Sequence, residues 1–357
     1  MSRPPAFDDA AIGRVVVRAP NWLGDAVLAL PALAAVRRRF ARAELTVAAP
    51  ASVAAVFRER TEVAPDRVLE LSADQRGALA ALEGGRFDLG VLFPNSFRSA
   101  WQLRRARVPH RWGYATASRG WLLTRAVRRR PARSAAGPHQ CDYYRALVGA
   151  LDCTAPAGEP PRLAASEASA ARAAALLTQH KVPAGVPIVA LAPGAAYGQA
   201  KQWPPDRMAE LASRLVAAHD AVCLVVGASH DRPAARAIES WLRAHVPAVL
   251  PRVVDLVGRT SLGALVGVAA QSSVFVSNDS GAMHLAAALG RPVVAIFGPT
   301  DERATRPLGD HEVIVEPVFC RPCMLRDCPI DHRCMKRITV DTVLAAVSRR
   351  LAAAPAV

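Results

Sequence analysis

Lysine is almost missing from this chain of 357 residues: only Lys181, Lys201 and Lys336 occur, so the formal charge of +15 is carried by arginine. A generic surface cation is written as arginine here, which draws attention to each lysine that remains. Aromatic residues are only 5% of the chain while hydrophobic residues reach 52%, so Ala, Val and Leu must do most of the core packing. No uninterrupted apolar run reaches the roughly 20 residues that a membrane-crossing helix needs. The opening MSRPPAFDDA has two prolines and two acids where a secretory leader has an apolar core. These absences predict a cytoplasmic protein, and the length allows two domains of ordinary size, each with its own core.

Acidic residues are absent between Leu89 and Cys141, a span that holds eleven arginines from Arg98 to Arg133. A solvated basic face is one reading; an anionic partner is the other, and so complete an exclusion of acids favours it. No helix-turn-helix, RNA-recognition sequence or zinc-finger helix accompanies the run, so nucleic acid is not the expected partner. Also missing is an Asp-x-Asp pair after a strand, the usual way to hold a divalent metal on a nucleotide diphosphate. A diphosphate bound here would have its charge met by protein groups alone.

What is present is a repeated alternation of short apolar runs and helical spacing. Runs at 14–18, 45–48 and 88–93 read as strands, and a second series follows at 188–192, 222–226, 253–256, 274–276 and 293–297. Between the two series the pattern weakens around an Ala-rich helix flanked by Pro156, Pro160, Pro161, Pro183 and Pro187. The pattern predicts an α/β chain of two Rossmann-like domains, 1–165 and 187–357, with a linker at 166–186 and a cleft between the halves.

The stretch from Ser277 to Thr300, SNDSGAMHLAAALGRPVVAIFGPT, reads as strand, loop, helix, strand. Its loop, Asn278-Asp279-Ser280-Gly281, opens a helix whose first amides and positive dipole end suit an anion such as phosphate. An ordinary helix cap explains the same residues equally well. A second loop, Ala192 to Pro204, lies at the same edge and carries Lys201, which either meets that anion or stands exposed. His284, one turn into the helix, contacts a ligand or packs. Asp231 follows a strand, where an acid can accept from ribose hydroxyls or cap a helix.

In the first half, Asp25 and the block Pro94-Asn95-Ser96-Phe97-Arg98 sit just past strand ends, the ligand edge of an open α/β sheet. Asp25 suits a general base, and on position alone it suits a helix cap better. Four of the seven cysteines, Cys320, Cys323, Cys328 and Cys334, are spaced C-x2-C-x4-C-x5-C. In a reducing compartment that crowding points to a structural Zn or Fe rather than disulfides, although the spacing matches no standard finger.

Five blocks together carry a resemblance: APNWLGDAVLALPAL at 19–33, LFPNSFRSA at 92–100, PHRWGY at 109–114, APGAAYGQAKQWP at 192–204 and the 277–300 stretch. The chain resembles the bacterial lipopolysaccharide heptosyltransferases of glycosyltransferase family nine, and most closely the branch that adds the second core heptose. The resemblance implies a GT-B fold of two doubly wound Rossmann-like domains facing a central cleft. It implies an ADP-L-glycero-β-D-manno-heptose donor bound by the C-terminal domain and no metal or cofactor for catalysis. The acceptor would be the first heptose of a phosphorylated lipid A–core at the inner face of the inner membrane, so peripheral membrane contact follows.

The same resemblance makes Asp25 the base of an inverting displacement and places Lys201, Asp279, Ser280, Gly281 and His284 in the donor site; Asp231 is set with them on its position after a strand. Asn95, Ser96, Arg98, His110 and Arg111 would face the acceptor. The loop before Lys201 has Ala195 and Ala196 where a related pattern has hydroxyl residues. Two alternatives stand beside this reading: a relative using another nucleotide sugar or acceptor, and a non-catalytic binder of nucleotide sugars or anionic lipid.

Overall fold

The apolar runs assemble into two parallel sheets in the computed structural model, which describes residues 7–129 and 139–353. The chain divides into two compact units, Met1–Pro161 and Arg162–Val357. In the first, the strands are β1 (Arg14–Arg18), β2 (Glu44–Pro50), β3 (Arg67–Leu71), β4 (Leu89–Leu92), β5 (His110–Tyr114) and β6 (Arg125–Val127). They lie in the order β3-β2-β1-β4-β5-β6, each pair parallel. Central strands β1 and β4 are buried on both faces, which is why they read as unbroken apolar runs.

The main helices of this unit are α1 (Leu23–Leu28), α2 (Leu30–Arg39), α3 (Gln75–Gly84), α4 (Phe97–Arg105) and α5 (Gln140–Gly149). The spacing after β1 predicts one helix, and the structure makes two, parted at Ala29. Pro31 falls in the first turn of α2, where the N–H it lacks would have no helical partner anyway.

The second unit repeats the plan with β7 (Ile188–Ala192), β8 (Val222–Val225), β9 (Val253–Asp255), β10 (Val274–Asn278), β11 (Val293–Phe297) and β12 (His311–Val315). Their order is β9-β8-β7-β10-β11-β12, again parallel throughout. Its main helices are α6 (Glu167–Gln179), α7 (Pro205–His219), α8 (Arg232–His245), α9 (Leu262–Gln271), α10 (Gly281–Ala288) and α11 (Val340–Ala353). One apolar layer gathers around Trp203, Met208 and Val343, the other around Phe275, Met283 and Phe297.

The stretch 166–186, expected as a linker, contains α6, and α6 packs into the second unit. A Cβ on Gly267 of α9 would stand 2.1 Å from the Ser169 carbonyl oxygen and 2.8 Å from the Ala173 Cβ. Small residues on both helices permit this close approach. An Ala-rich sequence offers no pattern to distinguish such a packed helix from a connector. Strands β3, β5, β6 and β12 were not legible either, since RVLEL, HRWGY, RAV and HEVIV mix charge with half-buried positions at or near sheet edges.

Both sheets have the doubly wound order, and the winding reverses between β1 and β4 in one unit and between β7 and β10 in the other. In open sheets of this kind ligands bind beyond the carboxyl ends of the strands at that reversal. The loops after these four strands carry most of the residues singled out from sequence.

Candidate active site

In the second unit, Asn278 ends β10 fully buried and ties the two ligand-edge loops together. Its Nδ2 donates to the Pro193 carbonyl at 2.7 Å, and its Oδ1 accepts the Trp203 backbone N–H at 3.1 Å. Lys201 ends the short turn Gln199–Lys201 between those anchors. Its Nζ lies 2.5 Å from Asp279 Oδ2, and the Thr300 hydroxyl donates to the same oxygen at 2.7 Å. The two charged side chains are 12% and 6% exposed, so the pair is nearly dehydrated and the ammonium is fixed in place. Tyr197 presents its ring to Lys201 Nζ at 4.7 Å and to the Arg326 guanidinium at 5.2 Å.

Ser280 stands at the N-cap of α10, yet its side chain makes no capping bond and instead meets Ser277 Oγ at 3.0 Å. The first amides of α10, from Gly281 on, are thus left uncapped by a side chain, as an anion site requires. His284 is buried in the first turn of the same helix. Asp231 sits where β7 and β8 end, in a space that glycine makes. A Cβ on Gly194 would come 2.2 Å from its carboxyl carbon, and one on Gly227 would come 2.8 Å from Oδ2. Its Oδ2 accepts the Ala228 N–H at 2.9 Å, closing the turn Ser229–Asp231, and its Oδ1 lies 3.4 Å from His230 Nε2; it stands at the N-cap of α8 without a side-chain capping bond there.

The cysteine-rich stretch lies directly against these loops, which sequence alone did not reveal. The Arg326 carbonyl accepts the Ala200 N–H at 2.9 Å, the Tyr197 hydroxyl donates to the Met324 carbonyl at 2.8 Å, and His332 Nε2 donates to the Ala200 carbonyl at 2.7 Å. Arg321 bonds the carbonyls of Gly298 and Thr300 at 2.6 and 2.9 Å. Cys334 is buried, Cys320 and Cys323 are half-buried and Cys328 is exposed, all four as free thiols. Among the described residues no group of three or more His, Cys, Asp or Glu converges to hold a metal ion, so the cysteine spacing is not matched by a cage. Burial, then the neighbouring Cys320, Cys323 and Cys328, raise the Cys334 thiol pKa.

In the first unit, Asp25 occupies the first turn of α1, but the cap residue is Trp22 and no side chain caps that helix. Asp25 Oδ1 accepts from Gln140 Nε2 of α5 at 3.0 Å, and the same nitrogen donates to the Tyr144 hydroxyl at 3.2 Å. Position in the chain suggests a cap; the carboxylate actually turns toward α5. Burial raises its pKa above the ordinary carboxylate range, while hydrogen bonds from Tyr144 and Gln140 draw it back. A raised pKa makes such a carboxylate a stronger base than an exposed one.

Beyond β4, Asn95 Nδ2 donates to the Tyr143 hydroxyl at 2.6 Å, and Ser96 Oγ caps α4 through the Ser99 N–H at 3.3 Å. Arg98 is exposed on α4. His110 and Arg111 do not join them. The register sets Leu89 beside His110 and Gly90 beside Arg111, so both begin β5 at the edge opposite Asn95. The Arg111 guanidinium is spent on the carbonyls of Leu122 at 2.7 Å, Pro109 at 3.0 Å and Val108. His110 packs edge-on against Phe7. The PHRWGY block therefore supplies a strand and an internal clamp, with His110 and Arg111 at the strand end away from Asn95. Arg130 and Arg133 of the basic run lie outside the described residues.

Arg119 was not singled out, and it shapes the 94–99 loop. Fully buried, it donates to the carbonyls of Tyr114 at 2.9 Å, Pro94 at 2.5 Å and Ser96 at 3.1 Å, and to Ser99 Oγ at 3.1 Å. Burial lowers its pKa to about 10. Nothing in the sequence separates it from the ten other arginines of the run.

Comparison with known proteins follows the same lines. The family model for glycosyltransferase family 9 (heptosyltransferase) matches residues 77–333. The lipooligosaccharide heptosyltransferase 2 of Haemophilus influenzae is 30% identical over 312 residues, 84% of this chain and 88% of that one. The lipopolysaccharide heptosyltransferase 2 of Escherichia coli K12 is 30% identical over 314 residues, 85% of this chain and 87% of that one. The solved structure of the E. coli ADP-heptose LPS heptosyltransferase II has a TM-score of 0.80 at 28% identity, covering 95% of this chain and 98% of that one. Two doubly wound units in the GT-B manner and matches along most of the sequence lead to one assignment: the chain belongs to glycosyltransferase family 9, the heptosyltransferases.

Proposed function

We propose that this enzyme moves heptose from ADP-L-glycero-β-D-manno-heptose to the first heptose of the lipopolysaccharide inner core, with inversion and without a catalytic metal. The observation that carries the reading is the clamped ammonium of Lys201 beside the uncapped start of α10, at the reversal point of the second sheet. Lys201 and the amides at Ser280 and Gly281 meet the charge that grows on the departing diphosphate. Asp279 orients Lys201, since a carboxylate would repel the diphosphate itself. Asp231 takes a ribose hydroxyl, and His284 shapes the floor of the site.

Asp25 accepts the proton of the acceptor hydroxyl. That oxygen bonds to the anomeric carbon as the bond from carbon to the β-phosphate oxygen breaks, and ADP leaves with the electron pair. Asn95, Ser96 and Arg98 face the acceptor, with Arg119 setting their loop. The first unit serves the acceptor and the second the donor. The cysteine-rich segment supports the Lys201 loop by packing, and catalysis draws nothing from a metal there.

Among the described residues no helix is long and apolar enough to cross a membrane. A lipid-borne phosphorylated acceptor and the acid-free basic run support peripheral contact with the inner leaflet from the cytoplasmic side. Incubation of the purified enzyme with ADP-heptose and a single-heptose acceptor, followed by mass spectrometry, tests the reading.

A further inference from the structure

Helix α4 is amphipathic in an unusual sense: its inner face is made of small and aliphatic residues, and its outer face of aromatics and arginines. At about 100° per residue, Ser99, Ala100 and Leu103 fall on one side and are buried, while Phe97, Trp101, Arg104 and Arg105 fall on the other. Arg98 flanks that outer side and is exposed. Phe97 and Trp101 are each 41% exposed, and Trp121, from the neighbouring turn Gly120–Leu122, is 64% exposed. The three rings touch, with centroids 6.3 Å apart for Phe97–Trp101 and 6.2 Å for Phe97–Trp121. The surrounding sequence from Leu89 to Cys141 contains no acid that could neutralise the arginines.

Such a surface is costly to leave in water. Three adjoining large aromatics form a patch rather than scattered exposure, and patches of this kind mark interaction sites. Its chemistry selects the partner. Tryptophan rings settle at the boundary between headgroups and acyl chains, and arginines around them bind anionic headgroups, each basic residue adding about 1 kcal/mol near such a surface. A protein partner would need a complementary acidic rim around an aromatic socket, whereas an anionic bilayer supplies both features over any area.

We infer that Phe97, Trp101 and Trp121, ringed by Arg98, Arg104 and Arg105, form a docking surface for anionic phospholipid bilayers. The choice of partner rests on the lipid-borne acceptor proposed above. Apart from Arg98, which the proposed function also sets toward the acceptor, the surface is distinct from the residues that carry out transfer.

The test uses vesicles without acceptor. Wild-type enzyme is floated with vesicles of phosphatidylethanolamine and phosphatidylglycerol, or of phosphatidylcholine alone, beside Trp101→Ser/Trp121→Ser and Arg104→Glu/Arg105→Glu. The wild type should float with the anionic vesicles only, and its fluorescence should be quenched by brominated lipid. Each double variant should lose about tenfold or more in partitioning, and the tryptophan variant should lose the quenching. Heptose transfer to a deacylated, water-soluble acceptor should keep its KM and kcat in both variants, which also shows that they fold.

Equal flotation of wild type and variants would overturn the inference, as would failure of the wild type to float. A rise in KM for the deacylated acceptor with unchanged vesicle binding would also overturn it, since the rings would then be sugar contacts. Absence of transfer to the deacylated acceptor, with vesicle binding still dependent on Trp101 and Trp121, would instead sink the transfer reading and leave the docking surface standing.

Discussion

The Lys201 ammonium and the Asp279 carboxylate meet at 2.5 Å, and the Thr300 hydroxyl holds the same carboxylate oxygen from another side. One of the chain's three lysines is thus pinned at the reversal point of the second sheet, its flexibility removed before any ligand arrives. Pre-orientation of this kind spares the enzyme reorganisation at the moment diphosphate charge develops.

Lys201→Met should therefore lower kcat/KM by about 100-fold or more and weaken ADP binding in the same variant. It also leaves Asp279 buried without its cation, which should cost about 3 kcal/mol of stability. Lys201→Met/Asp279→Leu should recover much of that stability while staying inactive. Thermal unfolding and ADP titration of the three proteins check both parts; a double variant with restored turnover contradicts the role given to Lys201.

Asp25→Asn keeps the shape of the side chain and removes the base. Turnover should fall about 100- to 10,000-fold, the range for loss of a general base, with ADP affinity unchanged. Steady-state kinetics with calorimetric ADP binding check this. Loss of ADP affinity in this variant would place Asp25 in the donor site instead.

The surroundings of Asp25 set a pH dependence. Burial raises its pKa, and Tyr144 and Gln140 lower it by bonding to the ionised form. The base works deprotonated, so activity falls as pH drops through that raised value. Removing a donor, as in Gln140→Leu or Tyr144→Phe, disfavours the ionised form and raises the pKa further. The acid limb of kcat/KM should then move to higher pH, while the KM for ADP-heptose stays near its original value at alkaline pH. An acid limb that stays fixed, or moves to lower pH, contradicts the assignment.

Gly198 tests the cysteine-rich segment. A Cβ there would stand 2.5 Å from the Arg326 carbonyl oxygen and 2.9 Å from its Cα, both backbone atoms. Gly198→Ala should push residues 324–328 off the Lys201 loop and raise the KM for ADP-heptose by about tenfold, the scale of one lost hydrogen-bonded contact of 1–1.5 kcal/mol. Unchanged donor kinetics would mean that the segment's packing is irrelevant to the loop.

Much of the fold could be read from the sequence because the central strands are buried on both faces and so appear as short apolar runs between helical stretches. Edge strands such as β6 and β12 are exposed on one side, and their charge hides them. The loops proposed to hold the donor stood out because a glycine-containing turn precedes an apolar helix there, and because lysine is rare in this chain. The strand end that His110 and Arg111 occupy was not legible, because adjacency to a basic motif says nothing about which end of a strand a residue takes. Asn278, Arg119 and Arg326 act through partners between 5 and more than 80 positions away, and no local pattern announces such bonds.

The central claim meets its most direct test in one reaction: purified enzyme, ADP-heptose and lipid A–core acceptor bearing a single heptose, with EDTA present, followed by mass spectrometry. The account predicts an acceptor heavier by one heptose, release of ADP, and neither product with Asp25→Asn. An acceptor of unchanged mass, with ADP-heptose still bound by the enzyme, would contradict the proposed acceptor; transfer that stops with EDTA would contradict metal-independent catalysis.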